Sequence, residues 1–146
     1  MTADQIFQIC NTLALAGWLL LILFGQKQWA SGVITALLLP LLFAVIYSAL
    51  LLAHWGGSSG NFNTLAGVAA LFSNPWLLLA GWVHYLAFDL FVGSWEARDA
   101  RTHQIPHLAV IPCLLLTFLF GPAGWLLYLA LRFILRKRTS NGFAIN

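Results

Sequence analysis

The chain has 146 residues, of which 61% are hydrophobic and 8% charged, with a formal net charge of +3. A soluble domain usually carries about 25% charged residues, so a water-soluble fold of this size cannot hide the apolar surplus. The composition gives one integral membrane domain, 1–146, all-α and polytopic, and leaves no folded domain to present a nucleic-acid surface.

Met1 to Gln5 carries Asp4 and no basic residue, so the first apolar run is read as a membrane helix and not as a secretory signal. That helix is expected over about 5–24, with Asn11 and Thr12 as its internal polar residues. A second is expected over 32–53, kinked near Pro40, after a link that places Lys27 and Trp29 at the membrane interface. The loop Gly56 to Asn61 is glycine- and serine-rich and uncharged. Thr64 to Phe72 is apolar but too short to span, and reads as a short interfacial or re-entrant helix capped by Asn63 or Thr64. Ser73-Asn74-Pro75 is a helix start signal and opens a third span over 75–95. Glu96 to Pro106 is a charged link, and a fourth span covers 107–133. Pro112 and the run Gly121-Pro122-Ala123-Gly124 lie inside it, so it is expected to break or bend at Gly121, with Arg132 snorkelling to the headgroups.

Four spans place both termini on one side. The tight basic cluster Arg132, Arg136, Lys137 and Arg138 assigns that side to the cytoplasm, although Lys27, Arg98 and Arg101 then fall on the other. Cys10 and Cys113 would sit on the order of 13 Å apart along the membrane normal, too far for a disulfide, and read as free thiols.

The chemistry concentrates between Trp82 and His107, which holds three of the four acidic residues and three of the four histidines. At about 100° per residue, Trp82, Tyr85, Asp89, Glu96, Asp99 and His103 fall on one polar stripe climbing from mid-membrane to the surface. His84 lies roughly 140° from Asp89 by the same count. Ionisable groups at membrane depth default to function. A carboxyl stripped of water is held neutral, and a neutral acid can donate a proton, so Asp89 reads as a general acid. The bland alternative is a polar handle that bonds Thr117 or a freed carbonyl on a facing helix. His84 divides evenly between a catalytic role and such a handle. Glu96, Arg98, Asp99 and Arg101 also fit a solvated, mutually paired link. His103 and His107 with Asp89, Glu96 and Asp99 supply metal-ligand types. Their spacing matches no known metal signature, and Pro106 prevents a helical His-x-x-x-His pair, so no metal site is assigned.

Five pieces carry a resemblance: Leu71 to Pro75 (L-F-S-N-P), Trp82 to Phe91 (W-V-H-Y-L-A-F-D-L-F), Asp99, Pro112 to Leu116 (P-C-L-L-L) and Gly121 to Gly124 (G-P-A-G). With them the chain resembles the neoxanthin-synthase-like, or abscisic-acid-deficient-four-like, family of small membrane proteins. Plant members are linked to the conversion of violaxanthin to neoxanthin. The resemblance implies a cofactor-free isomerase in which a protonated Asp89 opens an epoxide to an allenic alcohol while Asp99 or His84 removes a proton from the polyene. Trp82, Tyr85, Trp95, Glu96 and His103 are the candidate substrate-binding residues. The partners implied are membrane lipid and an apolar polyene or other isoprenoid, with a homo-oligomer or larger membrane complex as a further expectation. The location implied is a bacterial inner (cytoplasmic) membrane. A second function class stays open: a non-enzymatic pigment- or lipid-binding accessory subunit. A metal-dependent membrane enzyme is the third.

Overall fold

The computed structural model describes residues 1–57 and 60–142, with residues 136–142 as backbone only. Ser58 and Ser59 of the expected loop, and the side chains of Arg136, Lys137 and Arg138, lie outside the described residues.

Helix α1 (Ala3–Phe24) starts in a capping box, in which Thr2 Oγ1 accepts from Gln5 N and Gln5 Oε1 accepts from Thr2 N. The next helix begins earlier than expected, at Trp29. It runs as a π-helix (Trp29–Leu38) straight into α2 (Leu39–His54). The widened register explains how Pro40 is accommodated. Proline removes a donor and clashes with the preceding turn of an α-helix, and the looser turns upstream absorb both effects. Carbonyls in the widened segment find side-chain donors: Thr35 Oγ1 donates to Ala30 O at 2.9 Å, and Arg98 Nη1 donates to Ser31 O at 3.0 Å.

Helix α3 (Leu65–Phe72) is capped by Thr64, whose hydroxyl accepts from Gly67 N, and is too short to span. Helix α4 (Pro75–Thr102) is capped by Asn74 and extends past Trp95, so Glu96, Arg98, Asp99 and Arg101 are helical and not a link. Its 28 residues make roughly 42 Å, longer than a hydrocarbon core of about 30 Å.

The fourth span is replaced by a hairpin. Helices α5 (His107–Phe120) and α6 (Pro122–Gly142) meet at Gly121, where φ is +45°. Pro122 cannot donate back into α5, so α5 stops there. Glycine takes the positive φ at little cost, and the missing Cβ of Gly124 lets α6 close on Thr117, whose backbone N would lie 2.0 Å from any Cβ built there. The chain then turns back along α4. Thr117 reaches Glu96, Gly121 reaches Asp89, Tyr128 reaches Asp99, and Arg132 reaches His103. The contacts from Gly121 to Arg132 climb towards the C-terminal end of α4, so α5 and α6 are antiparallel and leave the bundle on the side they entered.

Among the described residues, three helices are long and apolar enough to cross a membrane: Ala3–Phe24, Trp29–His54 and Pro75–Thr102. α1 and α4 run parallel, since Phe7 lies beside Trp82 and Gln26 beside Arg101. α2 runs against them, with Ser31 at Arg98 and His54 stacked on Trp76 at 4.6 Å. The core between these layers is built on Trp18, Leu21, Phe43, Val83, Leu90 and Leu114. Exposed leucines and phenylalanines such as Leu41, Leu78, Phe88 and Leu126 form the outer, lipid-facing wall.

Candidate functional site

The polar stripe of α4 divides at Asp89. Below that point Trp82, Tyr85 and Asp89 face α1 and the tip of the α5–α6 hairpin. There they line a groove of about 360 Å³ with Asn11, Trp18 and Phe118. Trp82 Nε1 donates to Asn11 Oδ1 at 2.7 Å, and the Trp82 and Tyr85 ring centroids lie 5.3 Å apart. Tyr85 Oη donates to Phe118 O at 3.3 Å, a carbonyl in the last turn of α5. α5 ends two residues later, which is why that carbonyl is open to a side-chain donor.

Asp89 sits where this groove meets the hairpin turn. Its Oδ1 packs on Gly121, so that a Cβ there would be 2.9 Å away. Its Oδ2 is buried and has no hydrogen-bond partner. The Tyr85 hydroxyl, one helical turn back, is within interaction distance of the carboxyl. α5 ends and α6 starts beside it, at Phe120 and Pro122. Asp89 lies about 21 Å along α4 from His103, by rise per residue.

Above Asp89 the stripe docks the hairpin. Glu96 is 0% exposed: its Oε1 accepts from Thr117 Oγ1 at 2.8 Å, and its Oε2 is buried without a partner. Asp99 Oδ2 accepts from Tyr128 Oη at 2.5 Å and pairs with Arg132 Nε at 2.9 Å. His103 Nδ1 donates to Asp99 O at 2.8 Å, and its Nε2 accepts from Arg132 Nη2 at 3.0 Å, which fixes one neutral tautomer. Arg132 is thus tied to α4 through Asp99 and His103. Trp95 packs edge-on to Tyr128 at 5.7 Å. Among the expected site residues, then, Trp95, Glu96, Asp99 and His103 hold the hairpin, while Trp82, Tyr85 and Asp89 form the groove.

His84 is not with Asp89. It is exposed on another side of α4, between the rings of Tyr47 and Phe88, and lines a separate groove of about 890 Å³ with Trp55, Phe62 and Phe72. His107 donates from Nε2 to Ile22 O at 2.8 Å and pins the start of α5 to α1. Arg98 and Arg101 bond the carbonyls of Ser31 and Gln26 across the bundle and are not a mutually paired link. Among the described residues, no three His, Cys, Asp or Glu side chains converge as a metal ion would require. Cys10 and Cys113 are both free and buried.

The sequence reading did not place Trp18, Phe118 or Tyr128 at the site. Asn11 was visible as a polar residue inside an apolar span, a signal that could have singled it out. The aromatics carried no such signal, because helix packing uses the same residues.

Fold and site together define a polytopic helical membrane protein whose α5–α6 hairpin seats a carboxyl group in an aromatic groove. The chain belongs to the ABA DEFICIENT 4-like family, whose sequence profile matches residues 5–128. The match takes in Trp29–His54, Pro75–Thr102, all but the first two residues of Ala3–Phe24, and the hairpin as far as Tyr128. Neither a curated protein nor a solved structure matches the chain.

Proposed function

We propose that this chain is a membrane-embedded isomerase of a carotenoid or related isoprenoid, placed in a bacterial cytoplasmic membrane. The observation that carries the reading is Asp89: a carboxyl group with an unpartnered buried oxygen, in a groove lined by aromatic rings. The groove walls suit a flat polyene, which stacks on rings and enters laterally from the bilayer. Opening a xanthophyll epoxide to an allenic alcohol is an isomerisation. A proton goes to the epoxide oxygen as its C–O bond breaks. A second leaves a polyene carbon, and its electron pair becomes the new π bond. No redox partner is consumed, and the site has to supply one donor and one acceptor.

The test is pigment analysis of violaxanthin-producing cells carrying the intact chain, Asp89→Asn, or neither. Product confined to the intact chain supports the reading. Unchanged pigments with protein inserted in the membrane remove the xanthophyll-epoxide reaction and shift the reading to another isoprenoid or to the accessory subunit.

A second reading, a pigment- or lipid-binding accessory subunit, is favoured by the larger apolar groove at His84, which lies away from the carboxyl group. It predicts stoichiometric pigment or lipid on the purified protein with no turnover.

A further inference from the structure

Among the described residues, the ionisable groups that line the Asp89 groove are two: Tyr85 and Asp89 itself. Asp99 is occupied by Tyr128 and Arg132, and His84 opens on the other groove. Both halves of a proton exchange with a ligand in this groove therefore fall to Tyr85 and Asp89. They stand four residues apart on one face of α4, the spacing at which helical side chains meet.

We infer that Tyr85 is the proton donor to the ligand oxygen and Asp89 the base that takes the proton from carbon. This reverses the acid role expected for Asp89 and rests on the isomerase reading above. The order follows from intrinsic acidity. A phenol holds its proton to about pH 10 and a carboxyl group to about pH 4, so when the pair carries one proton it sits on Tyr85. Position agrees. Asp89 Oδ2 is buried without a hydrogen-bond partner, so it has no such bond to break before accepting a proton. Tyr85 Oη is held by a carbonyl, Phe118 O, at 3.3 Å, a long contact that a ligand oxygen can replace.

The cycle balances within the pair. The Tyr85 O–H proton passes to the epoxide oxygen as the C–O bond breaks, leaving a phenolate. Asp89 takes the carbon-bound proton, whose electron pair forms the allene. The proton on Asp89 then returns to the Tyr85 phenolate. No group on the far side of α4 is needed to close the cycle.

The test uses the full chain in membranes with violaxanthin as probe, comparing the unsubstituted chain, Tyr85→Phe, Asp89→Asn, and 3,5-difluorotyrosine incorporated at position 85. Tyr85→Phe should keep the KM within about threefold while kcat falls at least about a hundredfold, the scale of a lost general acid. The difluorinated ring keeps the hydroxyl but makes it more acidic. It should restore turnover and move the alkaline limb of the pH–rate profile to lower pH, which a merely structural tyrosine would not do. Turnover by Tyr85→Phe equal to that of the unsubstituted chain overturns the inference and leaves the isomerase reading standing, as does a difluorotyrosine profile without a shift. No product from the unsubstituted chain overturns both.

Discussion

Gly121 and Asp89 meet across the bundle so closely that the glycine's missing side chain is part of the carboxyl's seat: a Cβ there would stand 2.9 Å from Oδ1. The same residue turns the hairpin at a φ of +45°. Gly121→Ala should therefore act twice. Adopting that backbone costs an L-residue about 1–2 kcal/mol, and the new methyl group pushes Asp89 from its place. The expected outcome is a lower unfolding temperature in detergent together with a loss of turnover greater than the loss of folded protein. Gly56→Ala is the control, since nothing lies within 4 Å of a Cβ there.

Thr117 joins the hairpin to the buried Glu96. Thr117→Val keeps the shape and removes the hydroxyl that donates to Oε1 at 2.8 Å. Leaving a buried acceptor unsatisfied costs about 1–3 kcal/mol. Glu96→Gln keeps a carbonyl oxygen able to accept from Thr117 and should cost less. Unfolding of both variants in detergent checks the order. Equal costs would show that the Glu96 charge, and not the Thr117 bond, is what the site needs.

How far this site was legible depended on which residues break an apolar background. Asp89 was conspicuous at membrane depth, and the stripe through Glu96, Asp99 and His103 followed from helical periodicity. The G-P-A-G run marked the break at Gly121. The direction of the chain after that break could not be read. A bent span and a re-entrant hairpin use the same apolar residues, and what separates them is the pairing of Tyr128 and Arg132 with Asp99 and His103, a contact between residues far apart in sequence. His84 stands apart from Asp89 for a simpler reason: five residues on a helix turn a side chain to another face, as the 140° separation implied.

Asp99 is the clasp at the open end of the hairpin. Asp99→Ala removes the acceptor of the Tyr128 hydroxyl and the partner of Arg132, side chains that are 12% exposed for Asp99 and 29% for Arg132. Hydrogen bonds to charged groups contribute about 1.5–3 kcal/mol, enough to shift α6 away from α4 part of the time. Cys113, 2% exposed on α5, should then react faster with a membrane-permeant maleimide, while Cys10, buried on α1, keeps its rate. Parallel acceleration of both cysteines would mean general unfolding and not release of the hairpin.

The hairpin also changes which side of the membrane each terminus occupies. With four spans, both termini share a side and the basic residues divide between the two faces. With three spans and a re-entrant hairpin, Lys27, Arg98, Arg101 and Arg132 all gather at the end where α1 and α4 finish. Arg136, Lys137 and Arg138 follow further along α6, and Asp4 is at the opposite end. Basic residues flanking spans are retained on the cytoplasmic side. The divided vote becomes a one-sided one, and it predicts a cytoplasmic C-terminus and an N-terminus outside. Reporter fusions at each end check this, with a C-terminal fluorescent protein expected to light and an N-terminal one expected to stay dark unless it folds outside the cytoplasm. Two cytoplasmic termini would restore the fourth span and require α6 to cross the membrane, which the contacts of Tyr128 with Asp99 and of Arg132 with His103 do not allow.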